Sequence, residues 1–195
     1  MSELKEYLRI DNNLEDTRIE VMEKAAVLQL EKLTSTKFVS QVYDIFMDNW
    51  PLSSRNVWFD GVVEAPVSYA VSPTRNITLP LGVLISLDEF STYSDDTEFP
   101  ENIAGYIVDT SGPRARVGLK IGGIWPTTVL RSNNGIRFRC TFGFGAASDV
   151  PGDIKQAVKE FVAHMYENRG DQNEMVIPPH VLMLVNGYGR QKLGR

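Results

Sequence analysis

Between Ile136 and Met165 the hydrophobic period of the chain changes abruptly, and no other feature restricts its fold so strongly. In "GIRFRCTFGFG" the apolar Ile136, Phe138, Cys140, Phe142 and Phe144 alternate with Arg137, Arg139, Thr141 and Gly143. Successive side chains of a strand point to opposite faces, so this segment predicts a strand with one apolar and one basic face. In "VPGDIKQAVKEFVAHMYENRGD" the apolar Ile154, Ala157, Val158, Phe161, Val162 and Met165 recur at the spacing of an amphipathic helix. Pro151 suits the first turn, Asp153 complements the helix dipole, and Gly170 stands where a left-handed cap would end it. A half-buried strand that runs into a half-buried helix requires both a β layer and a helical layer.

The remainder fits that frame. At the start, Ser2 can cap a short helix over "ELKEYLR", and Asp11, Asn12 and Asn13 form a break. A longer helix follows over "LEDTRIEVMEKAAVLQLEKL", with Ile19, Met22, Ala26, Leu30 and Leu33 on one face. Strand candidates are "KFVSQVYDIFMDNWP", ending at Pro51, then "NVWFDGVVE", "VSYAVS", "VLISLDEFSTY", "AGYIVD" and "RVGLKI". Near the end, Pro178 and Pro179 can start a second short helix carrying Val181, Leu184 and Val185, which Gly187 ends. The predicted class is α+β: N- and C-terminal helices form a helical body, with an antiparallel β-rich region between them. As one domain over 1–195, its parts are helices in 1–35, a β-rich region in 36–146, helices in 147–186 and an arm in 187–195.

Composition narrows the function classes. The 195 residues, 43% hydrophobic and 23% charged, suit an ordinary domain with a real core. No apolar run approaches the roughly 18 residues of a membrane span, and the polar start "MSELKEYLRID" is unlike a secretory leader, so synthesis in a cytoplasm is expected. A single cysteine excludes an internal disulfide framework and most cysteine-based metal sites. Net charge is −5, unevenly spread: residues 1–101 carry 18 acids and 8 bases, residues 102–195 carry 7 and 12. That asymmetry suits head-to-tail or layered assembly.

Several chemical motifs fail on detail. His164, with Glu160 and Glu167 nearby, lacks the second histidine or the cysteine that a zinc site needs. His180 follows two prolines and precedes an apolar run, a poor setting for a general base. No nucleophile–base–acid set assembles, and no cofactor is expected. "GFGAASD" lacks the third glycine of a dinucleotide loop, Ser148 standing in its place, and no strand follows to complete a βαβ unit. "GLKIGG" lacks the Lys-Ser/Thr of a phosphate loop. Cys140 is expected to face the core, where burial suppresses its thiolate.

Two charged segments remain. "LDEFSTYSDDTEFPEN" holds Asp88, Glu89, Asp95, Asp96, Glu98 and Glu101 with no base. It lacks the alternating ligands and glycine turn of a calcium loop, so a loop facing solvent, with Asp95, Asp96 and Glu98 at its centre, is expected. The tail "YGRQKLGR" carries Arg190, Lys192 and Arg195 without an acid, either a frayed end or an arm that orders on an acidic partner.

The order of segments resembles the head–tail connector, or adaptor, proteins of tailed bacteriophages and gene transfer agents. The resemblance rests on "LKEYLRID", the helix ending "LEKLTST", "KFVSQVYDIFMDNWP", "ITLPLGVLIS", "GIWP" before "IRFRCTFGFG", "VPGDIKQAVKEFVAHMYENR" and "IPPHVLMLVNGYGR". Together these span nearly the whole chain. The family often has a proline–arginine turn where this chain has Pro80-Leu81-Gly82, and commonly ends Pro-Tyr-Arg where this chain reads "NGYGR". The resemblance implies a structural virion protein of the neck, made in the host cytoplasm, without catalysis or cofactor. It implies a dodecameric ring under the portal protein that extends the DNA channel and meets a stopper or tail-completion protein. Double-stranded DNA would pass without sequence-specific binding, and no membrane is involved. Tyr188, Arg190, Lys192 and Arg195 become candidates for portal binding, and Asp95, Asp96 and Glu98 for a channel- or solvent-facing surface. The alternatives are another neck component, or a DNA-binding protein using Arg137 and Arg139 on phosphate.

Overall fold

The computed structural model describes residues 2–51, 58–59, 62–63, 75–112, 114–169 and 176–188. The fold is α+β, with two compact units. One comprises Met1–Gln41, Leu81–Val83 and Phe142–Arg195, the other Val42–Pro80 and Leu84–Thr141.

The first unit is helical: α1 (Ser2–Leu8), α2 (Asp16–Thr34), α3 (Gly152–Glu167) and α4 (Pro179–Val185). The break before α2 is held by the Asn12 side chain, which accepts the Leu14 N–H at 3.1 Å. On α3 the predicted stripe is inside, with Ile154, Ala157, Phe161 and Val162 at the core alongside Ile19, Ala26 and Leu30 of α2 and Val181 and Val185 of α4. At roughly 1.5–3 kcal/mol per large apolar side chain, this stripe contributes much of the unit's cohesion. Pro151 is the N-cap of α3 and not its first turn, and the helix ends at Asn168, whose N–H bonds the His164 carbonyl. The predicted Gly170 cap lies outside the described residues. Gly187 does not end α4; it sits in a 3-10 turn, Asn186–Tyr188, that follows the helix directly.

The C-terminal end of α2 departs from its expected face. Leu33 is 50% exposed, while Glu31 and Thr34 are buried. The helix closes on a left-handed Ser35 (φ 53°), and the chain turns back so that Glu31 can serve it. The Glu31 carboxylate accepts the Phe38 N–H at 2.9 Å and pairs with Lys37 Nζ at 2.9 Å. Thr34 Oγ1 donates to the Leu30 carbonyl at 2.8 Å. Satisfying buried polar backbone outweighs burying one more leucine at this position.

In the same unit "GFG" is a backbone crossing. Gly143 N–H donates to the Val83 carbonyl at 2.9 Å, Phe144 N–H to Phe38 at 3.1 Å, and Gly145 accepts from Ser40 N–H at 2.8 Å. Gly82 N–H bonds the Ser35 carbonyl at 2.9 Å, beside an isolated parallel bridge from Thr36 to Gly82. Gly143 (φ 129°) lies so close to the 38–40 segment that a Cβ would stand 2.6 Å from the Val39 carbonyl oxygen. The glycines let three chain segments meet, which is the reason for the pattern that superficially resembles a dinucleotide-binding loop.

The second unit is built on strands β1 (Gln41–Met47), β2 (Trp58–Phe59), β3 (Val62–Val63), β4 (Asn76–Gly82), β5 (Leu84–Ser94), β6 (Thr97–Pro100), β7 (Tyr106–Asp109), β8 (Arg114–Leu119) and β9 (Ile136–Phe142). Among the described residues they form sheets ordered β1-β9-β5-β6, β4-β8-β7 and β2-β3. β9 alternates as predicted: Ile136, Phe138, Cys140 and Phe142 are buried, and Arg137, Arg139 and Thr141 are not. Phe90 of β5 stacks on Phe138 at 4.6 Å, and Trp125 stacks on Trp50 at 4.9 Å and on Tyr106 at 5.4 Å.

Other strands differ from expectation. "KFVSQVYDIFMDNWP" yields only Gln41–Met47, because Phe38 is taken into the helical unit's core. "NVWFDGVVE" gives the antiparallel pair Trp58↔Val63 and Phe59↔Val62; "VSYAVS" lies outside the described residues. "RVGLKI" ends at Leu119, leaving Ile121 fully exposed. β4 was not among the expected strands; it is an edge strand of its sheet, where the missing N–H of Pro80 is tolerated. The acidic stretch is not a loop: β5 runs to Ser94, turns through Asp95-Asp96 and returns as β6, with Ser94↔Thr97 and Tyr93↔Glu98 in register.

Candidate functional site

Several polar residues of α3 are engaged within its own unit. Lys159 pairs with Glu3 at 2.8 Å and holds that carboxyl below its ordinary pKa. Tyr166 donates its hydroxyl to Glu15, which raises the tyrosine's pKa, and Arg169 lies 3.8 Å over the Tyr166 ring while pairing with Glu15 at 2.7 Å. His164 Nδ1 is 3.1 Å from the Asn168 amide nitrogen, and His180 Nε2 is 3.5 Å from Glu160. Among the described residues no group of three or more His, Cys, Asp or Glu is placed to hold a metal ion. A groove of about 390 Å³ in this unit is lined by apolar residues such as Leu4, Val27, Val39 and Val158 together with the paired Glu3 and Lys159.

On β9 the expected basic face is heavily compensated. Arg137 reaches Glu89 and Glu98, each at 2.8 Å, and its side chain is 17% exposed. Arg139 lies 3.7 Å from both Asp44 and Glu89, and Thr141 donates to Asp88 at 2.6 Å. Two arginines therefore face three carboxylates, Asp44, Glu89 and Glu98, and Thr141 holds a fourth, Asp88. Glu98 has its pKa lowered, first by a hydrogen bond from Ser91, then by Tyr93 and the charge of Arg137. Cys140 sits under this sheet with its thiol pushed up to about 12, by burial first and then by the charges of Asp88 and Asp44.

Asp95 and Asp96 form the two-residue turn of the β5–β6 hairpin. Asp95 has φ 49°, a left-handed value that aspartate tolerates, and both are exposed. Glu98, the third residue of the expected acidic surface, is drawn instead to Arg137. Tyr188 lies against its own unit, its ring edge-on to Phe144 at 5.8 Å and its carbonyl accepting Thr36 Oγ1 at 3.1 Å. Burial, and then Asp153, raise its pKa. Arg190, Lys192 and Arg195 lie outside the described residues. The sequence reading missed the segment between β8 and β9, residues 120–135. It buries Trp125, stacks Arg131 4.4 Å over Tyr93, and leaves Ile121, Ile124 and Val129 exposed. Its length, unusual for a loop without regular structure, was the available signal.

No protein-family model matches the chain, and no curated protein matches it. Solved structures do. A chain from the neck of an empty gene transfer agent particle, computed with C6 symmetry, aligns with a TM-score of 0.73 at 21% identity, over 96% of this chain and 87% of that one. One from the virion of a native gene transfer agent particle gives 0.72 at 21% identity, with the same coverage. One from the neck of a native particle, computed with C12 symmetry, gives 0.69 at 20% identity, over 96% and 86%. At this identity the likeness establishes a common fold along nearly the whole chain.

Proposed function

We propose that the chain is a structural protein of a virion neck: a head–tail connector, or adaptor, whose copies form a dodecameric ring under the portal, extend the DNA channel and join capsid to tail. The single observation that carries this reading is the fold shared over 96% of the chain with gene transfer agent neck structures computed with C6 and C12 symmetry. A heterologous contact repeated about an axis closes such a ring. The segment order that resembles connector proteins supports the adaptor over a stopper or tail-completion protein, which shares the neck location. Chemistry has no part in the role. Arg137 and Arg139 already face carboxylates at 2.8 and 3.7 Å, which weighs against their reading as phosphate contacts. The basic tail, Arg190, Lys192 and Arg195, is the proposed portal contact. The test is electron cryomicroscopy of particles from cells that make this chain. Twelve copies around the channel below the portal are expected; one copy per particle, or a position away from the neck, would overturn the reading.

A further inference from the structure

The outward face of the β4-β8-β7 sheet has a composition that its neighbours do not explain. On β8, Ala115 and Val117 are buried, so Arg114, Arg116 and Gly118 point the other way. Opposite them on β7, Asp109 is in register with Arg116, and Ile107 with Gly118. Arg75 flanks the same face and reaches the Lys120 carbonyl at 3.4 Å. The absent side chain of Gly118 leaves a shallow depression of about 260 Å³, lined by Arg75, Asn76, Ile107, Asp109, Arg116 and Gly118. Ile107, 50% exposed, gives it an apolar wall.

Among the described residues its charge is one-sided. Arg75, Arg114, Arg116 and Lys120 lie on or beside this face with one acid, Asp109, whose carboxyl is held down to about 2 by hydrogen bonds from Ser111 and then by Arg116. That acid is committed to Ser111 and Arg116, and the carbonyls that Arg75 and Lys120 reach do not neutralise a cation. The β5–β6 turn of the same unit has the opposite character. It is two residues wide, and among the described residues the exposed side chains of Asp95 and Asp96 have no hydrogen-bond or ion partner.

We propose that the β4-β8-β7 face receives the Asp95-Asp96 turn of the next copy in a ring, as a head-to-tail contact. The inference rests on the ring reading above. A two-fold dimer through this face would set arginines against arginines, whereas a head-to-tail arrangement sets each turn against an opposite charge. The narrow turn suits a shallow depression, and Ile107 supplies apolar contact that charge alone would not.

The test is charge complementation with the full chain in cells that make the particle. One variant carries Asp95→Asn and Asp96→Lys, the first chosen because asparagine also tolerates a left-handed φ. The other carries Arg75→Glu and Arg114→Glu, which leaves the Arg116–Asp109 pair intact. Circular dichroism of each purified variant checks that it folds. Supplied alone, each sets like charges together, and copies per particle fall at least about tenfold. Supplied together, they alternate with opposite charges facing, and copy number returns to within about twofold of the parent. Rescue of this kind is not expected if the variants had merely lost stability. Parental copy numbers for either variant alone, or no rescue by the mixture, overturn the contact while leaving the ring in place. A parent chain present as one copy per particle overturns the ring and the contact with it. A salt-sensitive DNA complex that Arg75→Glu with Arg114→Glu abolishes would assign the face to nucleic acid and overturn the proposal.

Discussion

Replacing Gly143 by alanine tests whether the "GFG" segment is a backbone crossing. The new Cβ would stand 2.6 Å from the Val39 carbonyl oxygen, 2.7 Å from its carbonyl carbon and 2.8 Å from Ser40 N. All three are backbone atoms, so no side chain can swing aside. The residue also has φ 129°, where an L side chain is strained by about 1–3 kcal/mol. Relief requires the 38–40 segment to move, weakening the bonds from Phe144 N–H to Phe38 and from Ser40 N–H to Gly145, each about 0.5–1.5 kcal/mol net. The expected cost is about 3–5 kcal/mol, a fall in melting temperature of roughly 6–20 °C for a chain of this size. Gly152→Ala is the control, because nothing lies within 4 Å of its added Cβ and alanine favours a helix start no less than glycine does. Urea unfolding of both variants followed by circular dichroism reads the difference. If Gly143→Ala loses less than about 1 kcal/mol, the close approach is wrong and the glycines need another explanation.

Three further outcomes follow from the geometry. Changing Asp95 and Asp96 to asparagine and Glu98 to glutamine should alter stability by no more than about 1 kcal/mol, since among the described residues only Glu98 of the three has an ion partner and such pairs are weak at a surface; a calcium-dependent rise in the parent's melting temperature would contradict this. Removing residues 189–195 should leave the melting temperature unchanged, because Tyr188 keeps its contact with Phe144, while portal binding is lost; unchanged binding would move the contact to the helical body. Cys140, with its thiol at about 12, should resist disulfide-exchange reagents at pH 8 until the chain unfolds. Because that pKa is raised, the buried neutral thiol contributes stability below the unfolded value near 8.5, and the contribution is lost progressively as pH rises from there toward 12. Rapid labelling of the folded chain at pH 8 would refute this burial.

The sequence by itself determined the elements whose hydrophobic period is long and regular. The buried faces of β9 and α3 were legible from the spacing, though not their ends, because a period of two or of 3.6 is a property of consecutive residues and survives whatever packs on it. Tertiary structure decided what is non-local. β4, which contains Pro80, was missing from the expected strands and is accommodated at a sheet edge, and the charge run around Asp95 read as loop although its two halves pair as β5 and β6. The swap of Leu33 for Glu31 at the end of α2 depends on where the chain turns after Ser35, which brings the Phe38 N–H to a carboxylate seven residues earlier. The same holds for the candidate surfaces. Arg137 looked like a free cation because Glu89 and Glu98, 48 and 39 residues away along the chain, meet it only when the sheet forms. The basic depression went unseen because Arg75, Ile107 and Arg116 lie on or beside three different strands. A sequence records the charge of each side chain; strand pairing and edge position decide which charges cancel and which remain for a partner.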